Sequence, residues 1–524
     1  MSAAGNFARA SGHRLPASGL KAVTTAAALV LAACAHGSSS GAGDSSSGGP
    51  NSSGVAAVSE GEKVLATRPE IRPLGAFAAP VPRVHTLKNG LKVYIIEKAG
   101  DGMEALQLVV RRGSAREPAQ LAGLTSLAME ALEAGSAGRS QAEMARALDA
   151  IGATVRAGAS LDGAVVSGTA MVQRLGDLVP LFADVALRPN FDPKEWSRLL
   201  GQRQAELIAE QAEPRSGAGK SFSKAIYGDH PYGRAADGTI ESVKAMKLDD
   251  AKALFRAFQP GESALIAVGG APEAAVLESL RKAFESWSGA ATQASADPAP
   301  QVVPAPAAHP RLVILDYPGK PQTVVRVGQP AVPRSSPDVL ALRVWNSVLG
   351  GSFTSRLSAN LREKHGYTYG AGSGFSFGVG PGPFVAASDV KTEVTAEALK
   401  ELLGEVERAV AAPITDAELQ KGKSLLTFGL VEGLEHADGA AAIMGQLFLY
   451  GLPENELATF PERLAKLTVA DVQAAAGRAL DPAKMTIVLA GDARLIEAQL
   501  ATSGLGLPAP QRRDARGDVI SARK

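Results

Sequence analysis

Three side chains in one apolar stretch could take part in chemistry: those of Ser126, Glu130 and Glu133, within AGLTSLAMEALEAG (122–135). The apolar residues around them recur at helical spacing, and Gly135 follows the last of them where a C-terminal cap belongs. The spacing therefore predicts a helix that carries one hydroxyl and two carboxylates. Ser126 is a poor candidate nucleophile, because no motif places a histidine and an acid beside it.

The histidines and the single cysteine limit the metal chemistry that the chain could support. No two of the seven histidines stand four residues apart, so no helix can bind zinc through a pair of them. They are His13, His36, His85, His230, His309, His365 and His436. With one cysteine, Cys34, the chain can form neither a disulfide framework nor a cysteine-rich zinc site. Each lone histidine is therefore interpreted as a surface or packing residue.

The N-terminus has the features of an export signal. Three basic residues precede an apolar stretch, 22–32, which is too short to span a bilayer and which ends at Leu31-Ala32-Ala33-Cys34. This ending resembles the lipobox of bacterial lipoproteins, and the resemblance implies a signal peptide over 1–33 and lipidation at Cys34. A Ser/Gly-rich tether follows over 34–80. We therefore expect a bacterial outer membrane lipoprotein facing the periplasm. An ordinary signal peptide whose cleavage site happens to hold a cysteine is the alternative.

Several classes of ligand are disfavoured by composition and context. The formal net charge is +1 and no run of lysine or arginine marks a basic groove, so nucleic acid is not an expected partner. The glycine-rich run 370–384 lacks the strand–loop–helix context of a phosphate-binding loop. Its alternating Phe375 and Phe377 indicate a strand instead.

The rest of the chain consists of two halves that repeat each other. A Pro/Ala-rich linker, 289–310, separates an N-terminal domain, 81–288, from a C-terminal domain, 311–505, and a polar tail follows over 506–524. Three pairs of segments match each other: 105–115 and 322–332 as apolar strands, 190–210 and 413–433 as long helices with a Pro and acidic residues at the start, and 246–270 and 467–492 as a capped helix, a turn and a buried strand. One α+β unit therefore occurs twice, which predicts a pseudo-symmetric molecule.

Four stretches in order resemble the pitrilysin/insulinase family of zinc peptidases, which includes the mitochondrial processing peptidases. They are LKNGLKVYIIEK (87–98), RRGSAREPAQLAGLTSLAMEAL (111–132), YGDHPYGRAADGTIESV (227–243) and GGSFTSRLSANLREKHGYTYGAGSGF (350–375). The resemblance implies an α+β fold of two homologous, metallopeptidase-like α/β sandwich domains. Each domain is expected to be a mostly antiparallel sheet flanked by helices, and the two to form a pseudo-symmetric clamshell.

The same resemblance implies a zinc site that this chain lacks. In the family, H-x-x-E-H follows the A-G-L segment; its histidines bind zinc and its glutamate activates a water molecule. Aligned on A-G-L, Ser126, Met129 and Glu130 stand at these three positions, so no catalytic residue and no metal ligand is expected here. The third ligand position falls on Glu206. Together with Glu130 it could hold a hard cation only weakly.

The second-half motif is intact. In the family its arginine and tyrosine reach toward the active site of the other half or of a partner and contact the peptide; here they are Arg362 and Tyr369. The structural alternative is that Arg362 pairs with a local acid and Tyr369 packs at a strand start. The resemblance favours a non-catalytic subunit without a cofactor of its own, joined to a zinc-bearing homologous subunit, with a peptide as substrate. A structural or peptide-binding scaffold, like the core subunits of respiratory complex III, and a chain active alone through an unusual metal remain as alternatives.

Overall fold

Two six-stranded β-sheets covered by helices, and one two-stranded sheet, make up the part of the chain that the computed structural model describes, residues 77–288 and 312–520. The strands before the gap are β1 (Arg83–Thr86), β2 (Lys92–Glu97), β3 (Met103–Val110), β4 (Gly135–Ser136), β5 (Arg139–Ser140), β6 (Thr154–Ala159), β7 (Ala164–Met171) and β8 (Ser263–Gly269). Those after it are β9 (Leu312–Asp316), β10 (Gln322–Pro330), β11 (Thr368–Phe375), β12 (Pro383–Lys391), β13 (Thr486–Gly491) and β14 (Gln511–Arg513).

Helices connect and cover these strands. The first half contains α1 (Leu124–Glu133), α2 (Gln141–Asp149), α3 (Leu175–Leu187), α4 (Pro193–Glu210), α5 (Pro214–Tyr227), α6 (Ile240–Ala245), α7 (Leu248–Arg256) and α8 (Glu273–Phe284). The second contains α9 (Val339–Leu349), a π-helix (Ser358–Lys364), α10 (Thr395–Ala411), α11 (Asp416–Glu435), α12 (Ala437–Leu449), α13 (Glu456–Lys466), α14 (Val469–Ala479) and α15 (Ala493–Thr502). No helix in the described ranges combines the length and the apolar character needed to cross a bilayer.

The two sheets have the same strand order apart from one edge. The first runs β1-β2-β8-β3-β7-β6 and the second β14-β9-β13-β10-β12-β11. In both, a parallel pair, β2 with β8 or β9 with β13, adjoins three consecutive antiparallel pairs. The predicted α+β class, with two homologous and mostly antiparallel sandwiches, is confirmed.

The last edge strand differs between the halves. In the first sheet the edge is β1, which pairs antiparallel with β2, whereas in the second it is β14, which pairs parallel with β9. Since β14 lies at 511–513, the segment 506–524 is not merely the polar tail that the composition suggested. Its alternation is too short to be recognised as a strand without the sheet edge beside it.

Each half contributes one helix to the other half's sheet. Alternate residues of β9, β10 and β13 face opposite sides, as the pleat requires, so that Leu312 and Ile314 belong to one core and Val313 and Leu315 to another. The second of these cores is completed by apolar residues of α5, from the first half. In return α12, from the second half, packs against β3 and β8 of the first sheet. The cores are therefore interlocked.

One carboxylate is buried within the first sheet. Glu104 on β3 is 1% exposed, and its Oε2 accepts a hydrogen bond from the backbone N–H of Ala271 at 3.1 Å. Burial raises the pKa of Glu104 to about 7, and the single backbone donor only partly offsets that effect. This group will make the stability of the fold depend on pH.

Residues 1–76, 289–311 and 521–524 lie outside the described residues. The signal peptide over 1–33, lipidation at Cys34, nearly all of the tether and the linker over 289–310 therefore stay predictions. The domain boundaries at 81–288 and 311–505 stay predictions as well.

Candidate functional site: a degenerate metal centre

The predicted helix is present as α1, and its start is held by a carboxylate. Glu117 accepts hydrogen bonds from the backbone N–H groups of Gly123, at 2.6 Å, and Thr125, at 2.8 Å. An acceptor at this position satisfies N–H groups that have no partner within the helix and interacts favourably with its dipole. Gly123 has φ +94°, and a Cβ there would lie 2.7 Å from the carbonyl carbon of Asp237. The second and third family-like stretches therefore meet at this helix start.

The residue at the general-base position faces the core. Met129 is 1% exposed and belongs to the apolar cluster of the first half, together with Leu127 and Leu132. A methionine there strengthens packing and offers no proton acceptor. The residue at the position of the family's catalytic glutamate therefore cannot act as a general base in this chain.

Ser126 and Glu130, which stand at the two histidine positions, lie instead beside a buried cation. Arg203 on α4 is 6% exposed, and its guanidinium forms an ion pair with Glu130. Its Nε lies 3.3 Å from a carboxylate oxygen of Glu206, and its Nη1 lies 3.4 Å from Asp237 Oδ1. The same Nη1 lies 3.4 Å from the hydroxyl oxygen of Ser126. A guanidinium thus occupies the centre of the degenerate site.

The electrostatics of this arrangement are those of an acidic cluster that one positive charge partly compensates. Burial raises the pKa of Glu130, the positive charge of Arg203 opposes that rise, and the neighbouring carboxylates of Glu206 and Asp237 add to it. Each of the three carboxylate side chains keeps between 38% and 49% of its surface exposed, whereas the side chain of Arg203 keeps 7%. The cation is therefore the buried member of the group.

The donor set does not fit zinc. The site offers carboxylates and one hydroxyl but no imidazole or thiolate, and a fixed positive charge lies among them. Across the described ranges, no group of three or more His, Cys, Asp or Glu side chains is arranged to hold a metal ion. The guanidinium of Arg203 lies beside both Glu130 and Glu206, so a hard cation at these two carboxylates would have to compete with a fixed positive charge.

Arg203 was not identified by sequence reasoning. It stands three residues before Glu206, within GQRQAELIAE (201–210), where an arginine reads as an ordinary exposed partner of a helical glutamate. The sequence did contain one signal. The helix that carries Glu206, the third ligand position of the family, also carries an arginine one turn before it, while both zinc-binding histidines are missing.

Arg362 and Tyr369 lie at the surface of the second half. Tyr369, the second residue of β11, is 92% exposed, so it does not pack at the strand start as the structural alternative supposed. Arg362 lies in the π-helix, and its Nε is 3.2 Å from the carboxylate of the adjacent Glu363. The Cζ atom of Arg362 lies 5.6 Å from the centroid of the Tyr369 ring. The pair is thus brought together, with Tyr369 exposed and Arg362 partly exposed.

Comparison with known proteins gives one family for both halves. Residues 92–239 match the family model described as insulinase (peptidase family M16), and residues 246–426 match the model described as peptidase M16 inactive domain. An uncharacterized zinc protease of Streptomyces coelicolor is 24% identical over 425 residues, which cover 80% of this chain and 91% of that protein.

Two solved structures are similar as well. The crystal structure of a peptidase M16 inactive domain from Pseudomonas fluorescens has a TM-score of 0.72 at 27% identity, covering 78% of this chain and 97% of that one. The periplasmic protease PqqL from Escherichia coli has a TM-score of 0.64 at 18% identity, covering 82% of this chain and 50% of that one, and shows the fold alone. With both sheets, the motif contacts and the matched models in agreement, this chain belongs to the insulinase (M16) family of peptidases.

Proposed function

We propose that this chain is the non-catalytic subunit of a heterodimeric metallopeptidase, in which a zinc-bearing homologue supplies the hydrolytic centre and this chain helps to bind the peptide. The observation that carries the proposal is an asymmetry between the halves. In the first half Arg203 lies at the position of the family's metal, whereas in the second half Tyr369 is exposed and Arg362 is partly exposed.

The two accessible residues have the chemistry that an extended peptide requires. The Arg362 guanidinium presents several N–H donors in one plane and suits backbone carbonyl oxygens. The Tyr369 hydroxyl is a directed donor that can stabilise the negative charge developing on a carbonyl oxygen during hydrolysis. Neither residue can generate a nucleophile, so hydrolysis depends on the partner's zinc.

We also propose that the chain works at the periplasmic side of the outer membrane, attached by lipid at Cys34. The supports are the lipobox-like segment and the Ser/Gly-rich sequence after it, which can act as a flexible tether. A similar fold occurs in a protein described as a periplasmic protease. Metabolic labelling with a radioactive fatty acid, with Cys34→Ser as the control, would show whether the lipid is attached.

Co-purification tests the heterodimer directly. A tagged chain expressed in its own cells should retain a zinc-bearing homologue, and the pair should cleave quenched fluorescent peptides faster than the homologue alone. Tyr369→Phe should lower kcat of the pair by about 10²-fold, the usual effect of removing one donor to an oxyanion. Tyr367→Phe is the matched control, since it also removes one hydroxyl group, from a tyrosine two residues before Tyr369. The ring of Tyr367 stacks on His365.

The same experiment can reject the proposal. If the pair is no more active than the homologue alone, or if Tyr369→Phe and Tyr367→Phe behave alike, this chain does not contribute to hydrolysis. A stable complex without any effect on activity would instead favour the scaffold.

A further inference from the structure

A third exposed side chain contacts the Arg362–Tyr369 pair. Phe353 lies between α9 and the π-helix and is 70% exposed, an unusual setting for a phenylalanine. The Cζ atom of Arg362 lies 4.4 Å from the centroid of its ring, closer than it lies to the Tyr369 ring. Two exposed rings therefore contact one guanidinium at cation–π distances.

The two contacts that anchor the segment carrying Phe353 both run from residues after it to α11. Arg356 makes two parallel hydrogen bonds of 2.8 Å to the carboxylate of Glu418 on α11. One turn further along α11, Lys421 donates to the hydroxyl and to the carbonyl oxygen of Thr354, at 2.5 and 3.1 Å. A loop anchored in this way loses little conformational entropy when a ligand covers it. Phe353 is thus an exposed side chain on an anchored loop.

The Arg362 guanidinium, which contacts both rings, has N–H groups that donate no hydrogen bond within the described residues. Among the described residues, the only acid within ion-pair distance of Arg362 is its neighbour Glu363, through Nε, and neither Nη atom makes a hydrogen bond. The ring contacts can orient the guanidinium plane and leave its edge available. A peptide carbonyl that accepts from that edge brings the flanking side chains close to the rings, because residues on one face of an extended chain repeat about every 7 Å.

We propose that Phe353 forms, with Arg362 and Tyr369, a subsite that selects a large apolar side chain in an extended peptide. This inference rests on the proposed function and names its substrate class. Arg362 holds the peptide backbone, Tyr369 reaches the reacting carbonyl, and Phe353 decides which side chain is accepted. Phe353 is therefore a specificity residue that contacts the substrate, and no bond is made or broken at it.

A positional set of quenched peptides tests this inference on the co-purified pair. Each peptide carries one leucine in a serine and glycine background, and the leucine moves along the set. The wild-type pair should prefer one leucine position, and Phe353→Ala should raise KM for that peptide about tenfold, the usual range for losing an apolar contact, with kcat unchanged. Phe353→Leu, which keeps an apolar surface, should largely retain the preference.

The control is Phe428→Ala, which makes the same change at an exposed phenylalanine, 51% accessible, on α11. It should leave the leucine preference as in the wild type. Circular dichroism should show that both alanine variants remain folded, because neither ring is buried.

The outcomes separate this inference from the proposed function. If Tyr369→Phe lowers kcat but Phe353→Ala leaves the leucine preference intact, the apolar subsite is rejected while the heterodimer stands. If Phe428→Ala has the same effect as Phe353→Ala, the preference does not arise at Phe353. If neither Tyr369→Phe nor Phe353→Ala changes any parameter, both proposals fall.

Discussion

Removal of the buried guanidinium is the sharpest test of the degenerate site. Arg203→Met keeps most of the side-chain volume and deletes the charge that compensates Glu130, Glu206 and Asp237. Breaking a buried ion pair by removing one partner typically costs about 3–5 kcal/mol. Because the three carboxylates keep between 38% and 49% of their surface exposed, water will screen them, and we expect a loss of about 3 kcal/mol at pH 7.

The loss should depend on pH with a definite sign. Burial already raises the pKa of Glu130 in the wild type against the opposing charge of Arg203, so in the variant that pKa rises further and stability falls as the pH rises above about 4.5. Urea unfolding followed by circular dichroism should therefore show a large difference from wild type at pH 7 and a small one at pH 4.

The matched control is Arg198→Met, on the same helix. Arg198 is 47% exposed at its side chain and pairs with Glu195 at 2.8 Å, so its loss should cost less than about 1 kcal/mol. An Arg203→Met variant that loses no more stability than Arg198→Met, or as much at pH 4 as at pH 7, would show that the guanidinium does not act as the cation of this site.

Two further predictions follow from the buried charges. Glu104→Gln should flatten the pH dependence of stability. In the wild type the folded state keeps the Glu104 proton up to a pKa of about 7, so the free energy of unfolding falls as the pH rises from about 4.5 to 7. Urea unfolding should show the difference between wild type and variant changing by about 3 kcal/mol across that window, and a constant difference would contradict the assignment. Ser126→His combined with Glu130→His should not restore zinc binding, because Arg203 still occupies the site. Plasma mass spectrometry should find zinc only when Arg203→Met is added, and one bound zinc per chain without it would refute the argument.

The sequence predicted the elements around the site more completely than its chemistry. The helix at 124–133, the repeated strand and helix pairs and the two sandwiches all follow from local periodicity and turn residues. The missing histidines were equally visible, because they depend on residue identity alone. The replacement cation was not, since the partners of Arg203 come from three separate segments and only the tertiary fold brings them together.

The exchanged helices were invisible for a related reason. The helices α5 and α12 have ordinary apolar faces, and nothing in their composition says which sheet they cover. The same holds for Phe353, whose exposure depends on the loop geometry set by the Arg356–Glu418 contact. Periodicity identifies the apolar face of an element, whereas the surface that this face packs against is determined by contacts between residues far apart in the sequence.

The exchange of α5 and α12 restricts how this subunit can move. Since each sheet is closed by a helix that is covalently part of the other half, the halves cannot swing apart as two rigid lids without uncovering an apolar sheet face. Such an opening would expose much of a core at roughly 25 cal/mol per Å², far more than a thermal fluctuation supplies. Under the proposed heterodimer, the opening that admits a peptide therefore lies between the two subunits. This chain stays rigid while the two subunits move relative to each other.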